Sequence, residues 1–212
     1  MKDVRGDDSY LHEIRESLDG TRFLQNGPWD RDLLCSIHEG GTQEADGYGI
    51  EFCRSVVAEI RQDDASRLIE NAKPRVLAKF AYQVVWRFCA SHFGRGASAL
   101  GPYGKMLESS LFASQWVELP ILISRNHLRM PNGAESTLVI APFPTRIGHW
   151  RFWLFAVGGV HFFIKFDKRP LPDNIGHCLA GQADPLTLFR LSDMDVTRVP
   201  ILQPLMQRMV AR

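Results

Sequence analysis

Cys35 and His38 are the residues of this sequence whose type and spacing most directly suggest a chemical role. A thiol and an imidazole separated by two residues have the spacing of two ligands to one zinc ion. Structural zinc takes four ligands, so this pair is half of a site. Cys53, His12 or the adjacent His177 and Cys178 are the candidates to complete it. The alternative is a turn in which the cysteine packs in the core and the histidine faces water.

Three other sets of residues are chemically incomplete. Carboxylates around the Cys35/His38 turn could hold a hard cation, although solvated loop acids are the plainer explanation. These are Asp30, Asp32, Glu39, Glu44 and Asp46. Cys89 and His92 would share a helix face as a nucleophile pair, but no oxyanion-forming loop or orienting acid accompanies them. Residues 94–101 are rich in glycine but lack the strand and the Gly-Lys-Ser/Thr ending of a nucleotide-binding loop, which favours a flexible connection.

A basic and aromatic set in the second half of the chain is the candidate partner-binding surface. Guanidinium groups beside indole rings suit phosphates or carboxylates. The set lies around successive predicted strands, so we expect its members to share one face of a sheet, unless they are ordinary solvent-facing positions. Its members are Arg125, Arg129, Arg146, His149, Trp150 and Arg151, with His127 and Trp153 close in sequence.

The first half of the chain has helical periodicity. Apolar residues at helical spacing predict helices over residues 9–18, 48–60, 74–93 and 102–112, with a further helical turn at 68–69. Pro74 suits the first turn of the third of these helices, which we place in the middle of the core with Phe80, Val84 and Trp86 buried. Six glycines and Pro28 between residues 20 and 49 predict a loop-rich knuckle.

Beyond Trp116 the apolar period changes towards two, which predicts strands. Residues 150–157 and 160–166 flank Gly158 and Gly159, the sequence of a β-hairpin with a two-residue turn. Residues 117–124, 136–141 and 186–191 predict further strands, and residues 201–210 a terminal helix. The prediction is an α+β fold with a mainly antiparallel sheet. It forms a single domain over 1–212, mainly helical over 1–115 and mainly β over 116–212.

Composition narrows the class of protein. With 45% apolar residues, 13 Phe and 5 Trp, 212 residues can fill a sizeable core. A net charge of +1 does not indicate binding to nucleic acid or to a membrane surface. The charged amino terminus is unlike a signal peptide, and no apolar stretch is long enough to span a membrane, so we expect a cytoplasmic protein. Four scattered cysteines should then be thiols.

Short motifs over residues 20–90 resemble a group of uncharacterised bacterial proteins related to HNH-type zinc proteins, which have a treble-clef-like fold. The motifs are Gly27-Pro28-Trp29-Asp30, Leu34-Cys35-x-x-His38-Glu39, Tyr48-Gly49 and a helix from Leu77 to Trp86-Arg87. The resemblance implies that Cys35 and His38 are the second ligand pair of a zinc knuckle. It also implies an earlier Cys-x-x-Cys and a metal-activating histidine, which would have to precede this chain and make the start codon a question.

Three functional hypotheses follow. The first is a non-catalytic cytosolic interaction protein, with a degenerate HNH-like knuckle, that binds a macromolecular partner. A protein partner is favoured over nucleic acid, and no catalytic residue is assigned. The second is a metal-dependent HNH-type nuclease or an accessory to one, since such an enzyme needs a histidine base and a metal. The third is a nucleic-acid-binding module that uses the basic surface.

Overall fold

The computed structural model describes residues 11–13, 22–24, 33–59, 66–91, 96–113, 115–126, 139–180, 182–183 and 185–191. Within these residues three long helices precede most of the strands, and the predicted α+β class is confirmed. The helices are α1 (Ser36–Glu59), α2 (Pro74–Ala90) and α3 (Pro102–Phe112). The strands are β1 (Leu11–Glu13), β2 (Arg22–Leu24), β3 (Ser66–Ile69), β4 (Ile121–Asn126), β5 (Ile140–Ile147), β6 (Trp150–Val157), β7 (Val160–Lys165) and β8 (Leu186–Leu191). No helix in these residues has both the length and the apolarity to cross a membrane.

Helix α2 is the central core helix, as its sequence predicts. Pro74 occupies its first turn, where the missing N–H costs no intrahelical hydrogen bond. Its inward face is fully buried at Leu77, Ala81 and Val85. Phe80 is buried as predicted, whereas Val84 and Trp86 are only half-buried. Val84 and Trp86 lie at the edges of the buried face of α2. The apolar character of a residue does not show whether it lies at the centre or at the edge of such a face.

Helix α1 agrees with the helix predicted from residue 48 and corrects the prediction of a loop-rich knuckle over residues 36–49. Its four glycines, at positions 40, 41, 47 and 49, all lie within the helix. Packing on α2 overrides their low helix propensity, which is a weak preference of about 1 kcal/mol per residue. One seam faces inward at alternating spacings of three and four residues, and it is formed by Thr42, Ala45, Gly49, Phe52 and Val56. That spacing is the helical signal in the sequence.

Two further helical predictions are wrong. Residues 11–13, inside the predicted helix over 9–18, form strand β1, which pairs with β2 in a two-stranded antiparallel sheet. Leu68 and Ile69 lie in β3 and pair with Thr187 and Leu186 of β8. In both places pairing with a distant segment satisfies the backbone, and a short periodic pattern cannot exclude that alternative. The predicted terminal helix over 201–210 lies outside the described residues.

Six strands form the main sheet in the order β3-β8-β4-β7-β6-β5. Every neighbouring pair is antiparallel except β4 and β8, so the prediction of a mainly antiparallel sheet is confirmed. The predicted strands over 117–124 and 136–141 begin later in the chain, at Ile121 and Ile140. Strand β8 has the predicted bounds.

The hairpin of β6 and β7 has the predicted two-residue turn, with φ of 58° at Gly158 and 82° at Gly159. Both angles are left-handed, as a primed turn between right-twisted strands requires. Gly159→Ala should therefore lower the free energy of unfolding by about 1 to 2 kcal/mol, the cost of a left-handed conformation for a residue with a Cβ. Urea denaturation measures it, and an unchanged midpoint would contradict the turn geometry.

The sheet buries both faces. Helices α1, α2 and α3 pack on the face that includes Trp153, Phe155, Phe162 and Ile164. A second apolar cluster on the opposite face includes Phe152, Leu154 and Phe163. Burial of both faces explains why β6 and β7 are apolar at nearly every position, where a half-exposed strand would alternate.

Strand β5 forms one edge of this sheet. It contains Pro142 and Pro144, and its register with β6 shifts between Ile140 and Phe143. Proline has no N–H to offer a neighbouring strand, so it is tolerated at edges and bulges and excluded from central strands.

Candidate partner-binding surface at the start of helix α1

Cys35 and His38 are brought together, as their spacing predicts, but at a helix start and not on a knuckle. The carbonyl of Cys35 accepts the hydrogen bond from the N–H of Glu39 at 2.9 Å, so Cys35 is the N-cap residue immediately before α1. Its Sγ lies 3.3 Å from Nδ1 of His38, one helical turn on. Both side chains are exposed, which leaves a thiol and an imidazole side by side on the surface.

The proposed completing ligands do not join this pair. Cys53 is buried and lies 18 residues further along the same helix, about 27 Å at 1.5 Å per residue. Cys178 is also buried, and the side chains of His12 and His177 lie outside the described part of the chain. Within the part that is described, no three metal-binding side chains lie together. Cys35 and His38 remain a two-ligand pair there.

The His38 ring packs against a cluster of aromatic side chains from α2 and α3. Its ring centroid is 4.7 Å from that of Phe112 in α3, and Phe112 meets the Trp86 ring of α2 edge to face at 5.0 Å. The Trp86 indole N–H donates to Oε1 of Glu108 at 3.2 Å. Ile37, which precedes His38 in α1, is 82% exposed. We call Cys35, Ile37, His38, Trp86 and Phe112 together the α1-start surface.

Two glycines, which leave the helix backbone without side chains, lie next to Ile37. Gly40 and Gly41 follow it by three and four residues, so they lie beside it on the same exposed face of α1. A Cβ at either position would meet nothing within 4 Å. Glycine inside a helix costs about 0.5 to 1 kcal/mol relative to alanine, and packing within the chain does not require it here. The α1-start surface therefore borders a stretch of helix that another molecule can approach closely.

A polar cluster beneath this surface holds α1 against α2, and the sequence did not predict it. The Arg87 guanidinium donates to Oδ2 of Asp46 at 2.7 Å and to the hydroxyl of Thr42. The amide of Gln83 donates to Oδ1 of Asp46 at 2.5 Å. Asp46 was one of the predicted cation-binding acids, but both of its oxygens accept from α2 side chains. Its role here is to fix the position of the surface.

The predicted basic surface assembles only in part. Arg146 and Arg151 lie opposite each other on β5 and β6, and the His149 ring is 3.9 Å from the Trp150 ring. Trp150 belongs to the second apolar cluster, on the opposite sheet face from Arg151, because successive strand residues alternate. Its indole N–H donates to the carbonyl of Pro170 at 3.0 Å.

Arg125 is separate from Arg146 and Arg151 and is only 4% exposed. Its strand partner is Val160, which pairs with Val157 at the hairpin turn. Arg151 lies six residues before Val157, about 20 Å along the strand. The expectation of one shared surface is therefore wrong for Arg125, because the strand register places it at the other end of the sheet. Arg129 and His127 lie outside the described residues.

Cys89 and Cys53, two of the other predicted chemical groups, are buried thiols. Cys89 is fully buried, and desolvation raises the pKa of its thiol to about 12. Burial raises the pKa of Cys53 likewise to about 12. Both thiols are therefore protonated at neutral pH, whereas a nucleophilic cysteine reacts as the thiolate. His92 lies outside the described residues.

A buried polar pair on the second sheet face has no signal in the sequence pattern. Ser124 of β4 and His161 of β7 are direct strand partners, and both are almost fully buried. The serine Oγ and the histidine Nδ1 have no hydrogen-bond partner within the described structure. Desolvation lowers the pKa of His161 to about 4, so its ring is neutral at pH 7. Lys165, on the same strand face, donates to the carbonyl of Asp167.

No protein-family model, curated protein or solved structure matches this chain. The resemblance of residues 20–90 to HNH-type zinc proteins accordingly rests on its short motifs alone. The candidate site is defined by its own geometry.

Proposed function

We propose that this chain is a non-catalytic cytosolic interaction protein that binds a protein partner through the α1-start surface. The observation that carries the proposal is Ile37, an isoleucine that is 82% exposed, precedes His38 in α1 and shares its helix face with Gly40 and Gly41. Exposed apolar groups that are contiguous with aromatic rings are typical of protein interfaces. The four free cysteines support a reducing compartment.

The charges around the surface favour protein over nucleic acid. Glu39, Glu44 and Glu108 are exposed acids near it, and they would repel phosphates. Two cations nearby are bound within the chain: Lys79 donates to the carbonyl of Gly41 at 2.9 Å, and Arg87 is paired with Asp46. Trp86 adds an indole that is fixed by its neighbours, and tryptophan is enriched among the residues that dominate binding energy.

Ile37→Asp should weaken partner binding by about 30-fold or more, equivalent to the roughly 2 kcal/mol of a dominant interface residue. Gly40→Gln should also weaken it, because a long side chain would cover the bare backbone. The measurement is capture of partners from a host lysate, followed by affinity measurement with the partner identified.

Gly47→Gln is the matched control. Gly47 lies on the same face of α1, seven residues and about 10 Å beyond Gly40, and a Cβ there also meets nothing. All three variants should fold as the parent does, so a change in capture reports the surface. Equal losses in the Gly40 and Gly47 variants, or none with Ile37→Asp, would reject the α1-start surface.

A nucleic-acid-binding function is the second candidate, and the observation for it is the Arg146/Arg151 pair beside His149. Under that function, Arg146→Glu with Arg151→Glu should reduce a gel shift, and affinity should fall steeply with salt. An HNH-type nuclease is the third, and it rests on the short motifs and on the Cys35/His38 pair. Metal-dependent cleavage of DNA by the purified chain would establish it over the other two.

A further inference from the structure

We propose that Cys35 and His38 form half of a tetrahedral zinc site that a second copy of the chain completes. The inference rests on the proposed function, since it names one partner for the α1-start surface. The pair supplies two ligands of the four that structural zinc requires. Two copies related by a two-fold axis would supply two sulfurs and two nitrogens, a Cys₂His₂ set.

The distance between the two donor atoms fits one metal ion. With Zn–S near 2.3 Å and Zn–N near 2.0 to 2.1 Å, a tetrahedral angle separates sulfur from nitrogen by about 3.6 Å. Sγ of Cys35 and Nδ1 of His38 are 3.3 Å apart. The pair needs to open by only a few tenths of an ångström. The ring contact with Phe112 restrains the imidazole in this orientation.

The chemistry of the helix start suits a zinc-bound thiolate. As zinc binds, the S–H bond of Cys35 breaks, the sulfur keeps the electron pair for the metal, and the proton passes to solvent. Unpaired N–H groups in the first turn of a long helix favour negative charge at that end. The charge on sulfur would lie there, beside the N–H groups of the first turn of α1.

The surroundings allow a second copy to reach the metal. A symmetric contact around the site would bring Ile37 of each copy into an apolar rim, because the same patch meets itself across a two-fold axis. Gly40 and Gly41 project no side chain to keep the helices apart. Within the described residues no third ligand from the same chain competes for the position.

The test is a zinc titration of the purified full chain, followed by sedimentation velocity, metal analysis and reaction with a thiol reagent. We expect about half a zinc per chain, doubled mass and protection of the exposed thiol, because each ion would be shared. Cobalt should bind with the spectrum of a tetrahedral site having two sulfur ligands. His38→Gln should abolish all three effects, and Cys35→Ser should abolish zinc binding and the doubled mass.

His149→Gln is the matched control, since His149 is an exposed histidine outside the α1-start surface. It should dimerise with zinc as the parent does. One zinc per chain without doubled mass, or no zinc at all, would overturn the shared site. Partner capture by the parent in a chelator, lost with Ile37→Asp, would in that case leave the proposed function standing on its own.

Discussion

Gly49→Val should lower the free energy of unfolding by about 3 kcal/mol or more, at the upper end of what overpacking costs. A Cβ at Gly49 would lie 2.2 Å from Cγ of Phe80, far inside contact distance. The Phe80 ring cannot retreat, because Phe155 and Phe162 pack against it with centroids at 6.1 and 5.5 Å. The helices would have to separate, and the seam between α1 and α2 would lose contact.

Gly47→Ala, two residues away on the same helix, should change the free energy of unfolding in the opposite direction. Its Cβ meets nothing, so alanine should stabilise the chain by about 0.5 to 1 kcal/mol through helix propensity alone. Urea denaturation of both variants against the parent measures the difference. If Gly49→Val left the midpoint unchanged or raised it, the close contact between Gly49 and Phe80 would be wrong.

Acidification should destabilise the chain through His161 by about 3 kcal/mol between pH 6.5 and pH 4. The folded-state pKa is about 4 and the ordinary value is 6.5, so the unfolded chain binds a proton across this range while the folded chain does not. The contribution of the neutral ring is complete above pH 6.5 and is lost as the pH falls. Desolvation of the charged ring is the cause.

His161→Leu is the variant that isolates this effect. Leucine is an apolar residue of similar size that suits this buried strand position, and its side chain does not bind a proton. Carboxylates elsewhere contribute to acid sensitivity in both proteins, so the difference between the two pH profiles is the relevant quantity. Parallel profiles from pH 7 to pH 4 would show that His161 can be charged in the folded state.

Local patterns allowed some elements to be predicted, and distant contacts determined the others. The hairpin of β6 and β7 was predictable because Gly158 and Gly159 encode its turn, and α2 because Pro74 and a continuous apolar run define it. Only the part of helix α1 from Tyr48 on was predicted, because glycines at positions 40, 41 and 47 are typical of a loop and Gly49 fits against a partner, Phe80, that lies 31 residues away. The parallel pairing of β8 with β4 has no local signal either.

Some features of the candidate site were likewise predictable from local spacing, and others depended on distant contacts. The closeness of Cys35 and His38 followed from their spacing along one backbone. Ile37 and the cluster of Trp86 with Phe112 were missed, since three separate helices build that surface. The basic set was only partly right, because its assembly depended on strand register. Arg125 lies at the far end of the sheet for that reason.

The two prolines of β5 have a consequence for the behaviour of this protein in a crowded cell. The hairpin that follows them is apolar at almost every position, the composition of segments that stack into cross-β aggregates. An incoming strand would need continuous backbone donors along the outer side of β5, and Pro142 and Pro144 withhold two of them. Strand β5, the edge next to the most apolar part of the sheet, is thus a poor template for the addition of strands from other molecules.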